Sequence, residues 1–349
     1  MKVKIEGEEV TLEPINGLRY KNDNCQESLR KILSLVKKKD QSSRVKVLPG
    51  LLEGLNLAKR PADRQQGLDI LKLCLEHDGL DTAMKIVRDA ARTGVGLKDI
   101  ETTRIIAWGW HLSASQEWQR LIKSRREAPG TTFRLETVKT YKAFMEEIRR
   151  QGHKVMQPGW AVWAVGLEIM CWRAQSCQLH VNQASEKLTE EQKAATKEAL
   201  SNAIEDVRAF TTGLMRAWTM QEKDRDGIAK ADKLSDTERE ETAMLWGPVL
   251  NALALARSYA GDKLQQQFLE KAQLECLDTI RSLALPKRDL TGSDPALTCL
   301  YSILWPLSHD DADKMLGYSP SKEAATRSNP GKVGGAEVVR AKRAAAAVR

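Results

Sequence analysis

The chain has 349 residues, 42% of them apolar, and a formal net charge of +8. That length exceeds what one hydrophobic core usually supports, so two helical lobes are expected. The six cysteines are too sparse for a disulfide-built secreted domain and read as reduced thiols. No apolar run approaches the roughly 18 to 20 residues of a membrane span, and the charged N-terminus does not resemble a secretory signal.

From the N-terminus, Val3, Ile5, Val10 and Leu12 alternate around Gly7, which predicts a short β-like arm over residues 1–20. The period then changes. Leu29, Ile32, Leu33 and Val36 repeat at helical spacing behind an Asp23 or Asn24 cap, opening an N-terminal helical lobe over 21–185. Further helices are expected at about 62–77, 81–92, 99–110, 116–127 and 135–151, divided by Gly, Pro or capping residues. Gln157-Pro158-Gly159 then introduces a very apolar helix from Trp160 to about 180.

A C-terminal lobe over 186–318 follows a polar connector. Its first helix carries Leu200, Ile204, Val207, Leu214 and Trp218 at helical spacing, and others are expected near 236–259, 262–283, 296–307 and 310–317. Beyond Tyr318, Ser, Pro and Gly give way to a cationic Ala-rich end, which predicts a flexible basic tail over 319–349. The fold class is therefore all-α: two helical lobes, a short N-terminal arm and a mobile tail.

The charge is polarised. Residues 1–64 carry +5, 65–103 carry −2, 104–154 carry +6, 155–318 carry −6 and 319–349 carry +5. The most basic segment, 104–154, interleaves its cations with Trp108, Trp110, Trp118, Phe133, Tyr141 and Phe144. Cations that neutralise phosphates beside rings that stack bases suit single-stranded nucleic acid held without sequence reading. The candidate phosphate contacts are Arg120, Lys123, Arg125, Arg126, Arg134, Lys139, Lys142, Arg149 and Arg150, and the candidate stacking rings are Trp118, Tyr141 and Trp160. Of the other tryptophans, Trp163, Trp172, Trp218, Trp246 and Trp305 fall at core spacing.

Catalytic and metal patterns are weak. Cys171, Cys177 and His180 lack the short pair spacing and fourth ligand of a structural zinc site. The loop Asn329-Pro330-Gly331-Lys332 has no preceding strand and no hydroxyl residue after its lysine. His77-Asp78 and His309-Asp310 spell the HD pair of helical metal phosphohydrolases, but no histidine precedes His77. His309-Asp310-Asp311-Ala312-Asp313 misses the carboxylate spacing of isoprenoid enzymes by one residue. No enzyme activity, metal or cofactor is expected.

In its organisation over the whole chain, a basic all-α protein with two lobes, an N-terminal arm, a mobile tail and the 104–154 segment resembles the nucleoproteins of negative-strand RNA viruses. The resemblance implies sequence-independent encapsidation of single-stranded RNA, with residues 1–13 and 319–349 joining neighbouring protomers into a homo-oligomer. It further implies a viral polymerase as a partner, and residence in host cytoplasm and virion, with the nucleus as the alternative. The competing readings are a helical protein-interaction scaffold with a basic docking surface and a helical metal-dependent phosphohydrolase.

Overall fold

The computed structural model describes residues 2–5, 8–11, 45–59, 61–77, 79–124, 132–152, 158–184, 189–222 and 234–283. Helices dominate them, so the all-α class holds. The expected helices at 24–39, 296–307 and 310–317, and the tail, lie outside the described residues. The chain divides into two compact units, residues 1–95 and 96–349.

In the first unit, strands β1 (Lys2–Ile5) and β2 (Glu8–Thr11) pair antiparallel, with Lys2 opposite Thr11 and Ile5 opposite Glu8. A 3-10 turn, Val45–Val47, leads into α1 (Leu48–Leu57). This helix is not among those expected, because Pro49 and Gly50 look like turn residues. Proline is tolerated in a first helical turn, where its missing N–H would have no partner anyway. Helices α2 (Arg64–Glu76), α3 (Leu80–Arg88) and the single turn α4 (Ala90–Thr93) follow. Asp63 and Gln66 form a reciprocal capping box at the start of α2. Gly94 adopts φ +76 and ends α4 in the left-handed conformation that favours glycine. The core is aliphatic, built from Leu48, Leu52, Ile70, Leu71, Leu73, Ile86 and Val87.

The second unit contains α5 (Ile100–Ser124), α6 (Leu135–Gln151), α7 (Trp160–Ala184), α8 (Glu190–Met220), α9 (Asp236–Ala256), a 3-10 turn (Arg257–Tyr259) and α10 (Lys263–Ser282). Two expected helices, 99–110 and 116–127, are one. Residues 111–115 contain no glycine or proline, and burial of His111 and Ala114 carries the helix through.

Helix α7 is the centre of this unit and packs against α5, α6, α8 and α9. From Trp160 to Trp172 every residue except Trp163 is buried, as expected of a helix that is apolar on all sides. Two glycines set its closest contacts. A Cβ on Gly166 would lie 2.7 Å from the Tyr141 ring, and a Cβ on Gly213 would lie within 2.6 Å of three atoms of the Trp163 ring. Trp160, Trp218 and Trp246 form a ring cluster at one end, with the Trp160 and Trp246 centroids 4.8 Å apart. Residue 185, the expected lobe boundary, falls between α7 and α8, which pack against each other more extensively than any other pair among the described residues.

Inside this core sits a polar triad. Glu168, fully buried, lies 2.6 Å from His111 Nδ1 through one oxygen and accepts from Asn251 Nδ2 at 2.6 Å through the other. The Trp108 ring stacks on His111 at 4.9 Å. The arrangement ties α5, α7 and α9 together at a point where apolar packing alone would not select one register.

Candidate nucleic-acid interface

The basic segment folds as two helices, α5 and α6, whose junction is pinned from both sides. Glu117 on α5 accepts from the Arg134 backbone N–H at 2.7 Å and from the Thr137 hydroxyl at 2.6 Å, so it caps α6 from a neighbouring helix. From α7, Ser176 accepts from the Phe133 N–H at 3.0 Å, and the Arg173 guanidinium donates to Thr132 Oγ1 at 3.1 Å and to the Phe133 carbonyl. Phe133 is buried against Trp172. The first turn of α6 is therefore held in place, and Arg134 lies beside the turn of α5 that carries Arg120.

The expected cations separate into two groups. Arg120, Lys123, Arg134 and Lys139 are exposed and make no ion pair among the described residues. They occupy the last two turns of α5, the N-cap of α6 and its first two turns. Lys142 is instead bound to Asp206 on α8 at 2.5 Å, Arg149 to Glu146, and Arg150 to Glu147 at 2.5 Å. Arg149 also lies over the Trp163 ring, 5.9 Å from its centroid. Three of the seven described cations of the apparent basic ridge are thus neutralised by carboxylates of α6 itself and of α8. Arg125 and Arg126 lie outside the described residues.

The expected stacking rings fare differently from one another. Tyr141 and Trp160 are fully buried, a correction to their placement at the surface. Tyr141 donates its hydroxyl to the Val162 carbonyl at 2.5 Å and meets the Trp110 ring edge-on at 5.6 Å. Burial, reinforced by the Glu168 carboxylate, holds its phenol well above the usual pKa. Trp160 takes a cap for its backbone N–H from Gln221 and carries Arg104 over its ring. Trp118 alone of the three is half-exposed, stacked 6.2 Å from Trp172 with an interplanar angle of 11°. The pattern that drew attention to these rings, aromatics among cations, also describes an amphipathic helix whose buried stripe is aromatic. Glu117, Arg173 and Ser176, which shape the junction, carried no sequence signal beyond being polar residues in helices.

Over residues 1–289 the sequence matches the family model of mitochondrial ribosomal protein mS27, Mrp13. The chain belongs to that family. No curated protein matches it. Membership overturns the resemblance to viral nucleoproteins, and with it RNA encapsidation, homo-oligomerisation through the termini, a viral polymerase partner and residence in cytoplasm or virion. It points instead to a component of a mitochondrial ribosomal subunit, whose partners are ribosomal RNA and other ribosomal proteins and whose compartment is the mitochondrial matrix. The resemblance rested on helical content, charge polarity and a tail, and these are demands that any helical protein packed against RNA shares.

Proposed function

We propose that this mitoribosomal protein has a structural, non-enzymatic role and contacts ribosomal RNA through the α5–α6 junction, with Arg120, Lys123, Arg134 and Lys139 on phosphates. What carries the reading is the contrast within one segment: these four cations have no carboxylate partner among the described residues, while Lys142, Arg149 and Arg150 do. An ion pair already made inside the protein must be broken before its cation can serve a phosphate, so the unpaired set binds at lower cost. The half-exposed Trp118 supplies a ring at the same junction, and Arg125 and Arg126 in the connection add to its charge.

The test is the salt dependence of binding to purified mitochondrial ribosomal RNA. Each phosphate contact contributes a slope of about 0.7 to 0.9 in log K against log salt. Replacing Arg120, Lys123, Arg134 and Lys139 together by Ala should lower the slope by about 3, whereas replacing Arg149 and Arg150 should change it by less than about 1. An unchanged slope in the fourfold variant would overturn the assignment.

A further inference from the structure

Two apolar side chains reach the surface among the cations at the end of α5. Trp118 is half-buried, and Ile122 is 45% exposed. They are four residues apart and so lie on one side of the last two turns of the helix. Ile122 stands between Leu121, which is buried, and Lys123, which is exposed. The Trp118 ring is anchored: its plane lies within 11° of the Trp172 plane, with the centroids 6.2 Å apart. Trp172 is itself buried and packed by the rings of His111 and Phe133. A ring held in this way loses little freedom when another flat group settles on it.

Phosphate binding needs neither of these groups. An A-form duplex offers a protein its phosphates and ribose hydroxyls, while the faces of its bases are closed inside the stack. Arg120, Lys123, Arg134 and Lys139 suffice for such a surface, and an exposed ring and aliphatic chain beside them gain nothing from it. An unpaired nucleotide is different, because it brings a phosphate and an open π-face together. Stacking of one base on an aromatic side chain is worth about 5- to 100-fold in affinity.

We infer that Trp118 and Ile122 seat an unpaired nucleotide of ribosomal RNA, a bulged or looped base whose flanking phosphates are held by Arg120 and Lys123. The inference rests on the RNA-binding reading above and names the class of RNA: interrupted or single-stranded segments, not continuous duplex. Charge complementarity selects RNA over an apolar protein partner. Arg120, Lys123, Arg134 and Lys139 are exposed without an ion-pair partner among the described residues, and the carboxylates near them are Glu117 and Glu136. Glu117 is already taken up by the Arg134 N–H and the Thr137 hydroxyl. The strip therefore lies in a field that attracts phosphate.

The experiment titrates the full-length protein against a blunt RNA duplex and against the same duplex carrying one bulged iodouridine. The bulged duplex should bind about tenfold tighter, and irradiation should crosslink the iodouridine to Trp118. Trp118→Ala and Ile122→Ser should each erase most of that preference while leaving affinity for the blunt duplex, and the slope of log K against log salt, as in the parent. Trp118→Phe should retain it. Ile122 is a surface residue, so its replacement keeps the test open if loss of Trp118 loosens the stack on Trp172. Equal affinity of the parent for the two duplexes, or a preference that survives both Trp118→Ala and Ile122→Ser, overturns the inference. Variants that keep the preference but enter ribosomal subunits more weakly assign the strip to a protein partner, which overturns it as well. A parent that binds neither duplex at low salt defeats the α5–α6 RNA reading itself, a distinguishable outcome.

Discussion

The sharpest packing prediction concerns Gly166→Ala on α7. In an ordinary helix interior the exchange stabilises by about 1 kcal/mol, because glycine loses more backbone freedom on folding. Here the new Cβ would sit 2.7 Å from Cε1 of Tyr141 and against the Phe210 ring. Neither ring can yield easily: both are buried, and the Tyr141 hydroxyl is tied to the Val162 carbonyl. Overpacking of this kind costs about 1 to 3 kcal/mol, and two immobile rings put it at the upper end. The net is a loss of about 2 kcal/mol, or roughly 4 to 8 °C in the transition of a unit of this size. Gly54→Ala on α1 is the control, since a Cβ there meets nothing within 4 Å and should stabilise. The two are separable by assay. All nine tryptophans lie beyond residue 95, so tryptophan fluorescence follows the second unit, while far-ultraviolet circular dichroism follows both. A fluorescence midpoint for Gly166→Ala equal to or above that of the parent would refute the packing argument.

Other outcomes follow from the buried groups. Glu168→Ala removes the carboxylate that both His111 and Asn251 contact inside the core, and should cost about 3 to 5 kcal/mol in urea unfolding followed by fluorescence. Glu168→Gln keeps the shape and should cost less; equal losses would show that the charge, which both variants lack, carries the whole effect. Cys74, Cys171, Cys177 and Cys276 are buried, so a thiol reagent at pH 8 should titrate at most two of the six cysteines before unfolding and all six after it. Burial lifts the Cys74 thiol to about 12 and raises Cys171, where Glu168 adds to the effect, and Cys276. The fold therefore keeps these thiols protonated. Their contribution is fully present below the unfolded value of about 8.5 and is lost as pH rises, by about 1.4 kcal/mol per thiol per pH unit. The urea midpoint should fall steadily above about pH 9, and a flat profile from pH 8 to 11 would contradict the burial of these groups.

By itself the sequence determined the position of most helices of this protein, though it missed α1 and divided α5 in two. Helical spacing placed α6 at its observed limits, and the starts expected near 236 and 262 are those of α9, behind its Ser235 cap, and of α10, behind its Asp262 cap. The all-round apolarity of the stretch from Trp160 announced a buried helix. These are properties of neighbours three and four residues apart, which a sequence displays directly. The tertiary structure alone decided which cations are available. Lys142 and Asp206 are 64 residues apart, and no local pattern shows that one neutralises the other. In the same way Tyr141 and Trp160 resembled a nucleic-acid surface, but α7 and α8 enclose the first and α8 and α9 the second. Charge and ring counts are additive along a chain, but exposure and pairing are set by what folds against them.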